Sequence, residues 1–145
     1  VKGDNIVICG GGLSGCDCAL ELAMDYGKKN VTIVEMKENV ASELMFITSA
    51  GLMSKINKYG ISLKTSCKVL FIDNDGVHIE EKDGSTSTLK ADTIITAFGM
   101  KSEKQISKQI QEKYPLKTRT IGDCSNVSKV GNAIRTGFYA AMGIE

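Results

Sequence analysis

Three glycines spaced Gly10-x-Gly12-x-x-Gly15 leave this chain few folds to choose from. They follow a short apolar, β-branched run, Asn5–Cys9 (NIVIC), too short for a helix and bounded by glycine, which reads as a buried strand. They precede a segment, Leu13–Tyr26, with Leu13, Cys16, Leu20 and Ala23 at helical spacing, Ala19 and Leu22 beside them, and Gly27 placed to end it. A second apolar strand, Val31–Glu35 (VTIVE), comes next. Strand, turn, helix and strand in about 30 residues make one βαβ unit with a right-handed crossover.

Each glycine has a physical reason in such a turn. Gly10 allows the tight exit from the strand, Gly12 lets backbone approach a pyrophosphate, and Gly15 lets the helix pack closely on the strand. The helix N-terminus behind them offers unpaired N–H groups and the positive end of the helix dipole, so the backbone of Gly11, Gly12, Leu13 and Ser14 is the expected phosphate cradle. The spacing alone is a weak signal. Here an acidic residue, Glu35, follows Gly15 by twenty positions at the carboxyl end of the second strand. A carboxylate there accepts the hydroxyls of an adenosine ribose and repels a 2′-phosphate. The competing account is a glycine-rich turn with no ligand and Glu35 as a solvated strand-end charge. The complete βαβ context favours a dinucleotide. The residues at the strand end are Glu35-Met36-Lys37, and the first Arg in the chain is Arg119. NAD(H) is therefore expected over NADP(H), with Lys37 as the one feature pointing the other way.

Downstream, a helix is expected near Glu43–Tyr59, closed by Gly60, with Leu44, Ile47, Leu52 and Ile56 on one face and Gly51 able to split it. The period then changes to two. Ile61–Lys64, Cys67–Asp73, Val77–Lys82 and Thr86–Lys90 read as strands of one antiparallel meander, with turn signals at Asp75-Gly76 and Asp83-Gly84. Asp92–Phe98 is expected to be a further buried strand closed by Gly99. Glu103–Lys113 reads as an amphipathic helix ending near Pro115, Lys117–Ile121 as a last strand, Gly122-Asp123 as a turn and Val130–Met142 as a last helix. The fold class is α/β: a Rossmann-like parallel sheet with an antiparallel β-meander insertion.

Composition narrows the function. With 145 residues the chain can bury an ordinary core without metal or disulfide staples. Lys and Arg (18) nearly cancel Asp and Glu (17), and the lysines are scattered, so there is no electrostatic footprint for nucleic acid. No apolar run approaches the length of a membrane span, and the start has neither a charged nor an apolar leader region. It also lacks Met, which points to a piece of something longer. The five cysteines, Cys9, Cys16, Cys18, Cys67 and Cys124, form no CxxC. Cys16 and Cys18 point about 200° apart on a helix. All five are expected to be reduced thiols of a cytoplasmic protein, with no metal site. Cys124 is expected to be a packing residue. His78, the single histidine, is expected on a surface strand with no cysteine paired to it as a nucleophile.

Gly122-Asp123 is a second constellation. A strand ending in Gly-Asp before a helix can aim a carboxylate at the polyol hydroxyls of a ligand lying at the strand end. A plain turn or helix-capping Asp is the equally simple account of the dipeptide.

The stretches IVICGGGLSGCDCALELA, VTIVEM, ADTIITAFG and TIGDCSNVSKVGNAIRTGFYAAMGI together resemble the C-terminal part of clostridial-type 2-enoate reductases, 2,4-dienoyl-CoA reductases and trimethylamine dehydrogenases. These are flavoproteins whose C-terminal half is built like the pyridine nucleotide–disulfide oxidoreductases. The resemblance implies an oxidoreductase in which an FMN barrel and an iron–sulfur cluster come first, outside this chain, followed by an FAD domain interrupted by a nicotinamide-nucleotide domain. It implies that residues 1–98 are the NAD(H)-binding domain and 99–145 the C-terminal segment of the split FAD-binding domain. Ala97-Phe98-Gly99 then matches the return crossing into the FAD domain, and Asp123 the carboxylate that contacts the FAD ribityl chain. The expected partners are the dinucleotide and the remainder of the parent flavoenzyme.

The candidate cofactor-binding set is thus Gly10, Gly11, Gly12, Leu13, Ser14, Gly15, Glu35, Met36, Lys37, Gly99, Gly122 and Asp123, with no catalytic side chain. The cofactors carry the hydride chemistry and the protein supplies geometry. A non-catalytic NAD(H)-sensing module is the rival from another class, and such a sensor has no use for the Gly-Asp element. A disulfide reductase needs a CxxxxC redox pair, and the sequence has none.

Overall fold

The parallel sheet rises directly from the alternation of its first strand. In a computed structural model, which describes residues 1–25 and 29–144, strand β1 (Asn5–Cys9) pairs in parallel with β2 (Asn30–Val34) on one side and β7 (Thr93–Thr96) on the other. Helix α1 (Leu13–Asp25) links β1 to β2, and helix α2 (Phe46–Lys58) links β2 to β3 (Ser62–Lys64). The sheet order is β3-β2-β1-β7. A separate antiparallel sheet, β4-β5-β6, is made of Lys68–Asp73, Gly76–Glu80 and Thr86–Leu89. The expectation that Gly27 ends the first helix lies outside the described residues.

Side chains alternate across a strand, and β1 feeds two cores. Ile6 and Ile8 join Cys16, Ala19 and Leu22 of α1 and Ile56 of α2. Val7 and Cys9 join Val77 and Ile79 of β5. In β2, Val31 and Ile33 go with the helices and Val34 with the meander. The parallel sheet is therefore covered by helices on one face and by the meander on the other. Ile8, Ile33, Ile56 and Ile79 are fully enclosed, and burying each such side chain contributes about 1.5–3 kcal/mol.

Several expectations need correction. Ile61–Lys64 does not belong to the meander: β3 pairs in parallel with β2 (Thr32 with Ser62, Val34 with Lys64), because α2 carries the chain back along the sheet. Gly51 does not split α2, which runs unbroken from Phe46 to Lys58. Ile47 is exposed at the start of α2, and only Ile56 of that helix is buried. The helix ends as its C-terminal glycine suggests. Gly60 adopts φ +66°, and the Ile61 N–H reaches back to Ile56 O (3.1 Å), a bond that requires this left-handed residue.

The first hairpin turns at Asn74-Asp75, one residue earlier than the Asp75-Gly76 signal suggests. Gly76 opens β5 at φ +135°, where a Cβ would overlap the Leu89 carbonyl. Strand β7 is only half-buried, since it is an edge strand with no neighbour beyond it among the described residues.

The chain divides into two compact units, Val1–Gly99 and Met100–Glu145. The second contains helix α3 (Gln105–Lys113), a 3₁₀ turn (Gly122–Cys124) and helix α4 (Val130–Met142). Lys117–Ile121 is not a strand. A strand needs a partner ladder, and the described residues of this unit offer none. Neither helix buries a residue: Ile106, Ile110, Ile134 and Phe138 are all exposed. Cys124 is exposed too, and does not pack as expected.

Candidate functional site

The glycine loop lies at the carboxyl ends of β1 and β2, where α1 begins. The Gly10 N–H donates to Val34 O (2.8 Å) and the Ala97 N–H to Cys9 O (2.7 Å), so three strand ends converge on the loop. Gly10 turns out of β1 at φ +113°, and a Cβ on it would overlap the Ala97 carbonyl. A Cβ on Gly15 would overlap the Gly10 carbonyl, so the helix meets the loop as closely as backbone allows. A Cβ on Gly11 would stand 2.8 Å from Val40 Cγ1 and 2.9 Å from Glu35 Cβ.

Gly12 is different. Its φ lies outside the left-handed region, and a Cβ on it would meet nothing within 4 Å. Neither backbone strain nor crowding within the protein demands glycine there. The space over Gly12 is open, beside a helix N-terminus, and leaves room for a pyrophosphate to pass close to the backbone. The N–H groups of Gly12, Leu13, Ser14 and Gly15 have no partner among the described residues, as the first turn of a helix leaves them. Leu13 packs its side chain against the core while its N–H stays open, and the Ser14 side chain is exposed.

The Gly11 N–H does not join that group, contrary to the expected cradle of Gly11–Ser14. It donates to Glu35 Oε2 (2.7 Å), while the Lys37 N–H donates to Oε1 (2.8 Å). Sequence reasoning missed this use of the carboxylate, because the twenty-residue spacing places Glu35 near the loop without saying what holds it. The two backbone donors fix the half-buried carboxylate. Each oxygen keeps a second lone pair able to accept a ribose hydroxyl.

Beyond Glu35 the chain folds back over the loop. Met36 is exposed. The Lys37 ammonium donates to Ser42 Oγ (3.2 Å) and so is engaged on its own loop. Two non-glycine residues have left-handed backbones, Ala41 (φ 46°) and Ser66 (φ 54°), and both flank this segment. The Ala41 N–H donates to Gly11 O (2.7 Å) and the Ser66 N–H to Lys37 O (2.9 Å). Backbone strain of this kind costs on the order of 1–3 kcal/mol per residue and concentrates at functional sites.

Cys16 lies beneath the loop, its thiol against Gly11 O (3.5 Å). Burial, then the charges of Asp17 and Glu35, push that thiol up to about 11, so it stays protonated and unreactive at neutral pH. His78 sits in β5, between Asp73 Oδ1 (3.0 Å) and Thr88 Oγ1 (3.0 Å) and stacked on Phe71. A shallow hollow is lined by Lys64 at the end of β3 and by Glu81, Lys82, Asp83, Ser85 and Ser87 of the meander. Within it Lys64 Nζ pairs with Glu81 Oε1 (3.2 Å).

In the second unit Gly122 adopts φ +58° and donates its N–H to Thr136 Oγ1 (3.1 Å), which ties the turn to α4. Asp123 is exposed, with Oδ1 accepting from the Ser128 N–H (3.4 Å). Gly99, at φ +85°, closes the first unit.

Residues 1–137 match the protein family described as pyridine nucleotide-disulphide oxidoreductase. The chain is 35% identical to an NADH oxidase of Thermoanaerobacter brockii over 143 residues, covering 99% of this chain and 22% of that protein. It is 31% identical to a cinnamate reductase of Clostridium sporogenes, covering 98% of this chain and 21% of that protein. Among solved structures, a 2-naphthoyl-CoA reductase superposes on the whole chain with a TM-score of 0.85 at 27% identity, over 22% of its own length. Histamine dehydrogenase from Rhizobium sp. 4-9 shares the fold (TM-score 0.81, 16% identity). The chain thus spans about a fifth of the length of the relatives it matches.

Proposed function

Since the chain belongs to the pyridine nucleotide-disulphide oxidoreductase family, we propose that it is the NAD(H)-binding part of an NADH:flavin oxidoreductase of the enoate-reductase type. The observation that carries this reading is Gly12: a glycine with no internal reason to be one, set among the open N–H groups of the first turn of α1. Those donors bind the pyrophosphate, helped by the positive end of the helix. Glu35, held by the Gly11 and Lys37 N–H groups, accepts the adenosine ribose hydroxyls. Its charge disfavours a 2′-phosphate.

When bound, reduced nicotinamide supplies a hydride and FAD accepts it. The chain's own work is to hold the dinucleotide at a fixed angle, which lowers the barrier through positioning alone. Residues 1–98 serve as the NAD(H) domain. Residues 99–145, with Gly99, Gly122 and Asp123, serve as one wall of a split FAD domain. The exposed Asp123 carboxylate, and helices α3 and α4 that bury no residue within this chain, support that role. The remainder of the flavoenzyme is then the natural partner of these apolar faces, and FMN and iron–sulfur chemistry belongs to it. In the described residues no helix is long and apolar enough to cross a membrane, in keeping with a cytoplasmic setting.

Calorimetric titration of the full chain with NADH and with NADPH tests the reading. Saturable NADH binding is expected, with NADPH weaker by about ten- to a hundredfold, the equivalent of one charged hydrogen bond. No saturable NADH binding would overturn it.

A further inference from the structure

Lys37, two residues beyond Glu35, carries a charge that suits a 2′-phosphate, yet its ammonium donates to Ser42 Oγ. Both ends of that contact stand on anchored backbone. Lys37 is held from two sides: its N–H donates to Glu35 Oε1 (2.8 Å), and its carbonyl accepts the Ser66 N–H (2.9 Å). Ser42 follows directly on Ala41, which is 2% exposed and tied to Gly11 O (2.7 Å). The left-handed turn at Ala41 brings the chain back over the glycine loop and sets the next residue, Ser42, facing Lys37. Two strained residues hold this arrangement, Ala41 and Ser66, at φ 46° and 54°. Ala41 lies in the loop between β2 and α2 and Ser66 in the connection between β3 and β4, and neither alanine nor serine adopts such a conformation without cost.

We propose that Ser42 is a specificity-determining residue: by engaging the Lys37 ammonium, it withholds from the ribose end the one cation that would favour NADP(H). The inference rests on the NAD(H) reading of the same site and assigns a residue that touches neither the pyrophosphate nor the ribose. Discrimination then has two parts. Glu35 disfavours the 2′-phosphate directly, and Ser42 keeps its natural counter-ion occupied. Such a device is one of specificity more than affinity, because it removes an attraction to the wrong ligand.

The test compares NADH and NADPH dissociation constants for the full chain, its Ser42→Ala and Ser42→Thr variants, and the double variant Ser42→Ala with Lys37→Gln. Releasing one solvent-exposed ammonium toward a phosphate is expected to tighten NADPH roughly fivefold, with NADH moved far less. Raising the salt concentration should shrink the gain. Ser42→Thr keeps the hydroxyl and should keep the wild-type ratio. The double variant should lose the gain, since the cation is gone. Ser42 is exposed, and far-UV circular dichroism checks that each variant folds. An unchanged NADPH to NADH ratio in Ser42→Ala, beside normal NADH binding, overturns this proposal and leaves the NAD(H) reading standing. So does a gain that persists in the double variant. No NADH binding by the wild-type chain overturns both.

Discussion

Replacing Gly12 by alanine separates ligand from fold. Within the protein the new methyl group meets nothing within 4 Å, and φ lies outside the left-handed range that strains alanine. Stability should be unchanged or raised by about 0.5–1 kcal/mol, through the lower entropy of the unfolded chain. The methyl group would stand where the pyrophosphate must approach, and displacing one charge-assisted hydrogen bond costs about 1.5–3 kcal/mol. NADH affinity should fall roughly ten- to a hundredfold. Gly15→Ala is the contrasting control, because its methyl overlaps the Gly10 carbonyl and backbone must move. Overpacking of that kind costs about 1–3 kcal/mol, which lowers the melting temperature by roughly 3–10 °C in a chain of this size. Thermal melts with and without NADH, together with calorimetric dissociation constants, read both effects. A Gly12→Ala chain that binds NADH as tightly as the wild type would refute the passage of pyrophosphate over Gly12. One that melts as low as Gly15→Ala would show that the glycine serves the fold.

Four other outcomes follow from particular contacts. Glu35→Gln keeps the shape but removes the charge, and should weaken NADH about tenfold while narrowing the gap to NADPH; titration with both nucleotides checks it. Gly76→Ala should destabilise the chain by about 1–3 kcal/mol in denaturant unfolding, because its φ of +135° and the Leu89 carbonyl leave no room for a methyl. Thiol labelling at pH 8 should modify exposed Cys124 in the native chain, while buried Cys9, Cys16 and Cys67 react only on unfolding; five thiols should then be counted. Asp92 accepts the backbone N–H groups of Asn5 and Asp4 (2.9 Å each), which hold its carboxyl below its ordinary 3.8. A lowered folded value adds stability above pH 3.8 that is lost as pH falls further. The stability gap between the wild type and Asp92→Asn should therefore close on acidification below that pH in urea melts.

The βαβ core and the glycine loop were legible in the sequence because their signals are local. Five apolar residues, three glycines at fixed offsets and a helical stripe act on neighbours within a few residues, and β1 runs from Asn5 to Cys9 as its composition suggests. The last helix, Val130–Met142, was equally local. Partnership was not. Ile61–Lys64 has the period of a strand whichever sheet takes it, and only the return of α2 along β2 put it in the parallel sheet. Lys117–Ile121 has strand composition but no ladder among the described residues of its unit, and composition alone does not form one. At the site, spacing brought Glu35 to the loop. That the carboxylate would take the Gly11 N–H, leaving those of Gly12–Gly15 without a partner among the described residues, depended on backbone donors meeting it from two directions. Lys37 reads from sequence as a cation free to meet a phosphate. Only the left-handed turn at Ala41, paid for by core packing around it, carries Ser42 back to hold it. Local chemistry chooses what an element is, and long-range closure chooses what it touches.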